Sequence, residues 1–150
     1  MDTRLKDIRE KYDLSQRKVA SKLKISKSYY NYFESGERII TIPYLNSFCN
    51  LFKVSADYVL GLSNRNIIAK NKFSINKKLI GSRIKEIRKL NNWTQKDLAK
   101  LFNTSQSTIS AYENGETLVI TAFIYALCKK FNVSADYLLG RSNVMNIIIK

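Results

Sequence analysis

The chain has 150 residues, of which 26 are Lys or Arg and 12 are Asp or Glu, giving a formal net charge of +14 and a pI near 9.9. That balance selects a polyanionic partner, and nucleic acid before a membrane surface, because no apolar run approaches a membrane span and no signal peptide opens the sequence. With no histidine, two cysteines and no Cys-x-x-Cys pair, zinc fingers and most metal sites are excluded and no cofactor is expected.

Along the chain, Arg4–Asn64 aligns with Arg83–Asn143 without a gap, at a constant offset of 79. Two copies of one domain therefore fill nearly the whole sequence, and each reads as five short helices. In the first copy, Leu5, Ile8 and Tyr12 mark helix one, and Ser15 caps helix two, whose inward face is Val19, Ala20 and Leu23. Ser26 caps helix three, with Tyr30 and Phe33 spaced to face the core. Thr41 and Pro43 open helix four, which carries the stripe Leu45, Phe48, Cys49 and Phe52, and Ser55 caps a last turn ending at Leu60-Gly61. Cys49 and Cys128 read as core thiols of a reducing compartment.

The domains are expected at 1–64 and 79–143, separated by a basic linker at 65–78 and followed by an apolar tail at 144–150. From Arg65 to Ser82 there are five basic residues (Arg65, Lys70, Lys72, Lys77, Lys78) and no acid. Such a run is either a solvated spacer or extra phosphate contact. Leu79-Ile80-Gly81 is expected to start the first helix of copy two.

The second copy holds the clearest motif. Thr94 caps a helix through Leu98-Ala99 to about Phe102, Asn103-Thr104 make a turn, and Ser105 caps the next helix. Ile109 and Tyr112 give that helix one narrow apolar face, Gln106, Ser107, Thr108 and Ala111 fall mostly on other faces, and Asn114-Gly115 stop it. Two short helices joined so tightly form a helix-turn-helix, whose second helix can enter a major groove. On Thr94-Gln95…Leu98-Ala99, Ser105–Ser110…Glu113-Asn114-Gly115 and Val133–Gly140, the sequence resembles the Cro/cI-type (Xre) helix-turn-helix regulators. The expected fold is thus all-α: two tandem five-helix, lambda-repressor-like domains.

The resemblance covers both copies, the second more closely, and it implies roles for particular residues. Gln16 and Gln95 would hold a DNA phosphate and brace the reading helix. Lys27, Ser28, Gln106 and Ser107 would meet base edges, with Tyr32 or Ala111 facing the groove a turn and a half later; Tyr29 and Thr108 stand on the same helices. Glutamine can pair adenine bidentately, lysine reaches guanine, and Ala or Tyr meets a thymine methyl. Asn114 matches a phosphate contact for which copy one has Ser35, and copy one is bulkier at Tyr29 and Tyr32. Arg9 with Glu34, and Arg88 with Glu113, resemble the family's structural ion pair between helices one and three.

One stretch departs from the family, which usually places polar and basic residues between helices three and four. Here stand Ile39-Ile42 and Leu118-Ile120, and the tail Ile147-Ile149 is also apolar. All three are candidates for self-association. The expected function is a sequence-specific transcriptional regulator of double-stranded DNA, a repressor by occupancy, in the bacterial or phage cytoplasm and nucleoid-associated. The alternative is a protein-interaction module such as an antitoxin or anti-repressor. An enzyme is not expected, since no carboxylate cluster could hold a metal. A short helix also fits the major groove of DNA and not that of A-form RNA.

Overall fold

The computed structural model describes residues 1–67 and 71–146. Among these are ten helices and no strand, apart from one isolated bridge between Val133 and Asn146. They divide into two compact units, the first reaching Phe73 and the second beginning at Ser74.

The first unit holds α1 (Leu5–Lys11), α2 (Gln16–Lys22), α3 (Lys27–Ser35), α4 (Ile42–Phe52) and α5 (Ala56–Val59). Its starts are chemical: the hydroxyls of Ser15, Ser26 and Ser55 accept from the amides of Lys18, Tyr29 and Tyr58, while Pro43 occupies the first turn of α4. Leu5, Ile8, Val19, Ala20, Leu23, Tyr30, Phe33, Leu45, Phe48, Cys49 and Phe52 are buried as the pattern requires. Each large apolar side chain among them contributes about 1.5–3 kcal/mol. Tyr12 instead follows α1 and is half out in solvent, with its ring on Phe52.

The second unit repeats the order with α6 (Lys77–Leu90), α7 (Gln95–Leu101), α8 (Gln106–Glu113), α9 (Thr121–Phe131) and α10 (Ala135–Leu138). Helix α6 has 14 residues where α1 has 7. It begins ahead of Leu79 because the Asn76 side chain accepts from the Leu79 amide at 3.0 Å, so Lys77 and Lys78 belong to its first turn. The extra turns cross the end of α8. At Gly81 a Cβ would lie 2.3 Å from the Tyr112 carbonyl oxygen and 2.5 Å from that of Glu113, so only glycine permits this approach. At the ends of α8 and α3, Gly115 has Lys78 against it, whereas Gly36 has open space.

One closure recurs in both units and had no signal in the sequence beyond its repetition. Arg4 donates through Nη1 to the Tyr58 and Ser63 carbonyls, and Arg83 does the same to Tyr137 and Ser142. Each guanidinium also lies over the tyrosine ring it serves, at 4.5 Å and 4.2 Å from the centroid. Helix one is thereby fastened to the last turn of its own domain. Cys49 and Cys128 are both fully buried, each in the core of its own unit.

The copies differ at three turns where the backbone is left-handed. The second copy uses Asn92, Asn103 and Asn132 there; the first uses Asp13, Lys24 and Lys53. Asparagine adopts that region at little cost, and lysine at more. Lys24→Asn and Lys53→Asn are each expected to stabilise the first copy by about 0.5–1 kcal/mol. Urea titration followed by tyrosine fluorescence checks this, and lowered midpoints would contradict it.

Candidate nucleic-acid interface

Helices α2–α3 and α7–α8 are each joined by a turn of a few residues, with Lys24 and Asn103 in left-handed backbone. The second helix of each pair is fixed from below by an ion pair. Arg88 Nε donates to Glu113 Oε1 at 2.7 Å, and Arg88 Nη1 to the Trp93 carbonyl at 2.8 Å. In copy one Arg9 Nε donates to Glu34 Oε1 at 2.6 Å, Nη2 to Oε2 at 3.1 Å and Nη1 to the Leu14 carbonyl at 2.8 Å. In each copy one arginine thus ties together the first helix, the loop after it and the second helix of the pair.

The glutamines sit directly on these pairs. Gln95 Nε2 donates to Glu113 Oε2 at 2.8 Å, and Gln95 Oε1 accepts a long bond, 3.4 Å, from Gln106 Nε2. A chain of polar contacts therefore runs from buried Arg88 to exposed Gln106. In copy one Gln16 Nε2 donates twice inside the domain, to Glu34 Oε2 at 2.7 Å and to Asn31 Oδ1 at 2.9 Å. Both of its amide hydrogens are engaged there. Asn31 was not a candidate in the sequence, and its effect depends on a contact between two helices.

The other candidates fall as follows. Lys27, Ser28, Gln106, Ser107 and Asn114 are exposed, and Gln16, Gln95, Thr108 and Ala111 are half-buried. The Ser107 and Thr108 hydroxyls each lie 2.9 Å from that of the cap Ser105, and Asn114 Nδ2 donates to Ser110 at 3.3 Å. Tyr29 is committed elsewhere: its ring packs on Phe33 at 4.8 Å and edge-on to Tyr44 at 5.9 Å. Tyr32 stays at the surface with the Arg38 guanidinium 4.9 Å from its ring centre, a pairing absent in copy two, where Ala111 and Thr117 occupy these positions.

Helix α7 is better started than α2. Thr94 accepts from the Asp97 amide at 3.0 Å, and Asp97 accepts from the Thr94 amide at 2.8 Å, a reciprocal cap that Lys18 cannot make in copy one. The bond from the Thr94 amide holds the Asp97 carboxyl below its ordinary value.

Glu34 titrates against two opposed effects. Burial raises its pKa, but the hydrogen bonds from Arg9 and Gln16 more than offset that and hold it below the ordinary carboxylate value. A depressed folded-state pKa contributes stability above the unfolded value, near pH 4.3, and loses it as pH falls through the folded value. The first copy is therefore expected to melt at progressively lower temperature below about pH 4. Tyrosine-monitored unfolding should show this in the wild type and a weaker trend in Glu34→Gln.

The helix-turn-helix family matches the chain twice, over residues 5–59 and 84–138. The chain belongs to that family, in its Cro/cI type. Its fold is that of a DNA-binding regulator. Among curated proteins it is similar to the antitoxin PezA of Streptococcus pneumoniae, 38% identical over 68 residues, which are 45% of this chain and 43% of that one. It also resembles the transcriptional regulator ImmR of Bacillus subtilis, 37% identical over 65 residues (43% and 51% of the two chains). A third relative is the competence pilus inhibition repressor of Acinetobacter baylyi, 40% identical over 57 residues (38% and 52%). The chain thus spans about half the length of the curated relatives it matches. No solved structure matches. No helix among the described residues is long and apolar enough to cross a membrane.

The apolar stretches largely serve their own domains. Ile40, Ile42 and Val119 are buried, which leaves Ile39 and Ile120 as the strongly exposed members, at 50% and 59%. Ile147-Ile149 lies outside the described residues.

Proposed function

We propose that this chain is a sequence-specific transcriptional regulator, acting as a repressor by occupying double-stranded DNA with two helix-turn-helix domains of one polypeptide. The supporting observation is the chain of contacts Arg88–Glu113–Gln95–Gln106, which presents an exposed amide at the N-terminal end of a buttressed helix. Gln95 and Asn114 would take phosphates, and Gln106 and Ser107 base edges, with Gln16, Lys27, Ser28 and Tyr32 in the matching roles of copy one. The domains would be 1–64 and 79–143, the second preceded by the first turn of α6, which Asn76 caps. Copy two would hold its phosphate more firmly, because Gln95 spends only one amide hydrogen on its own domain while Gln16 spends two.

Gln106→Ala is expected to weaken binding to a selected site by about 1–3 kcal/mol and to relax one base position. Equal loss on selected and random duplex would remove Gln106 as a base reader. The function itself is tested by selecting duplexes from a random library, footprinting the complex and measuring its mass. A single chain protecting two adjacent half-sites supports the reading. Protection of one half-site per chain, with two chains always required, refutes it.

The similarity to an antitoxin, with Ile39 and Ile120 exposed, favours one second reading: a protein-interaction module that uses the fold without reading DNA. Salt dependence separates the two, since each phosphate neutralised gives a log–log slope of about −0.9. A flat salt profile on duplex DNA would favour the interaction module.

A further inference from the structure

The linker is held by a device that only the first copy possesses. Asn46 and Asn50 lie one turn apart on α4, and the Nδ2 of each donates to the Phe73 carbonyl, at 2.8 Å and 2.9 Å. The Phe73 amide donates back to Asn50 Oδ1 at 3.2 Å. Both backbone polar groups of one linker residue are thus occupied by one helix, and Asn46 is 7% exposed. The equivalent residues of copy two, Tyr125 and Lys129, cannot form this pair of amide contacts. Three residues after Phe73, Asn76 already caps α6.

We propose that Asn46 and Asn50 act as a clamp that shortens the effective link between the two DNA-binding domains and so sets which half-site spacings the chain accepts. The inference rests on the proposed reading of one chain on two half-sites. The argument is one of reach. From Phe73 to Asn76 the fully extended backbone spans only about 10–11 Å. Upstream of Phe73, the next anchored residue is Asn66, whose Oδ1 accepts from the Ser55 amide at 3.4 Å. With the clamp open, the link runs from Asn66 to Asn76 and reaches about 33–36 Å. Moving one half-site by a full turn of DNA displaces it by about 34–36 Å. Clamped, Asn76 stays within about 10–11 Å of Phe73 and can move by no more than about 20–22 Å in all, which is less than the shift; released, it ranges within about 33–36 Å of Asn66, a volume that contains such a shift.

The test uses the full chain. In the free wild-type protein the Phe73 amide hydrogen is expected to exchange at least about tenfold more slowly than an open-chain amide. Asn50→Ala, which removes two of the three clamp bonds, should abolish that protection while leaving the helical circular dichroism unchanged. On a selected duplex, moving one half-site outward by a full turn should weaken wild-type binding at least about tenfold and the Asn50→Ala chain by less than about threefold. An eight-residue Gly/Ser insertion between Ser74 and Ile75 leaves α4 untouched and should give the same relaxed profile. An unprotected Phe73 amide in the wild type overturns the clamp. So do coincident wild-type and Asn50→Ala profiles when the insertion alone relaxes spacing. A wild-type footprint of one half-site per chain at every spacing removes the underlying reading and the spacing role with it, and it is distinguished by the insertion also having no effect.

Discussion

Arg88→Ala and Glu113→Ala are each expected to destabilise the second domain by about 3–5 kcal/mol, the usual cost of leaving one partner of a buried pair uncompensated. The side chains of Arg88 and Glu113 are 10% and 1% exposed, well away from the surface regime in which an ion pair contributes about 1 kcal/mol or less. Arg88 also satisfies the Trp93 carbonyl, and Glu113 also accepts from Gln95, so either truncation orphans more than its ionic partner. Replacing the pair together, as Arg88→Met with Glu113→Leu, should cost less than either single alanine. The molecule carries its own reporter for the measurement. Its single tryptophan, Trp93, lies in this domain against Phe131, with ring centres 5.3 Å apart. Urea unfolding followed by tryptophan fluorescence isolates the second domain within the intact chain. An unchanged midpoint in both alanine variants would sink the idea.

Gly81→Ala is expected to cost about 3 kcal/mol in the same domain, at the upper end of the range for overpacking. The intruding methyl would meet backbone on α8, 2.3 Å from the Tyr112 oxygen, and no rotamer change relieves a clash between two main chains. The gain of about 1 kcal/mol in helix propensity from Gly to Ala is too small to offset it. The matching position in copy one is Asp2, ahead of α1, so Asp2→Ala serves as the control and should be nearly silent. If Gly81→Ala leaves the tryptophan-monitored midpoint in place, α6 does not pack on the end of α8 as described.

The features legible from sequence are those written within a few residues of themselves or repeated at the offset of 79. The serine and threonine caps and the apolar faces of α2 to α4 are of this kind, whereas the Arg–Glu pairs, 25 residues apart in sequence, are implied only by the family resemblance. The early start of α6 has its signal in Asn76, which caps the helix three residues ahead of Leu79 from within the basic linker stretch. Tyr29 stands on α3 beside Ser28, and its packing on Tyr44, fifteen residues on, has no local signal. The pairing of Gln16 with Asn31 and of Asn50 with Phe73 likewise depends on which elements meet in space. Local chemistry announces helices, whereas the contacts that make the copies unequal arise only once those helices are packed.

The open space beside Gly36, against the crowding of Gly115 by Lys78, has a consequence for motion. The last carbonyls of an α-helix have no partners within it and are where a helix begins to fray. At the end of α8 the carbonyls of Tyr112 and Glu113 lie against α6 at Gly81, which holds them in place. At the end of α3 Gly36 has no such cover. Amide exchange should therefore be fast and locally controlled in the final turn of α3, and slow, tied to wider unfolding, in that of α8. A ligand that needs a rigid helix would find one already rigid in the second domain and would have to quench the motion of the other. The conformational entropy lost on binding would then fall mainly on the first domain.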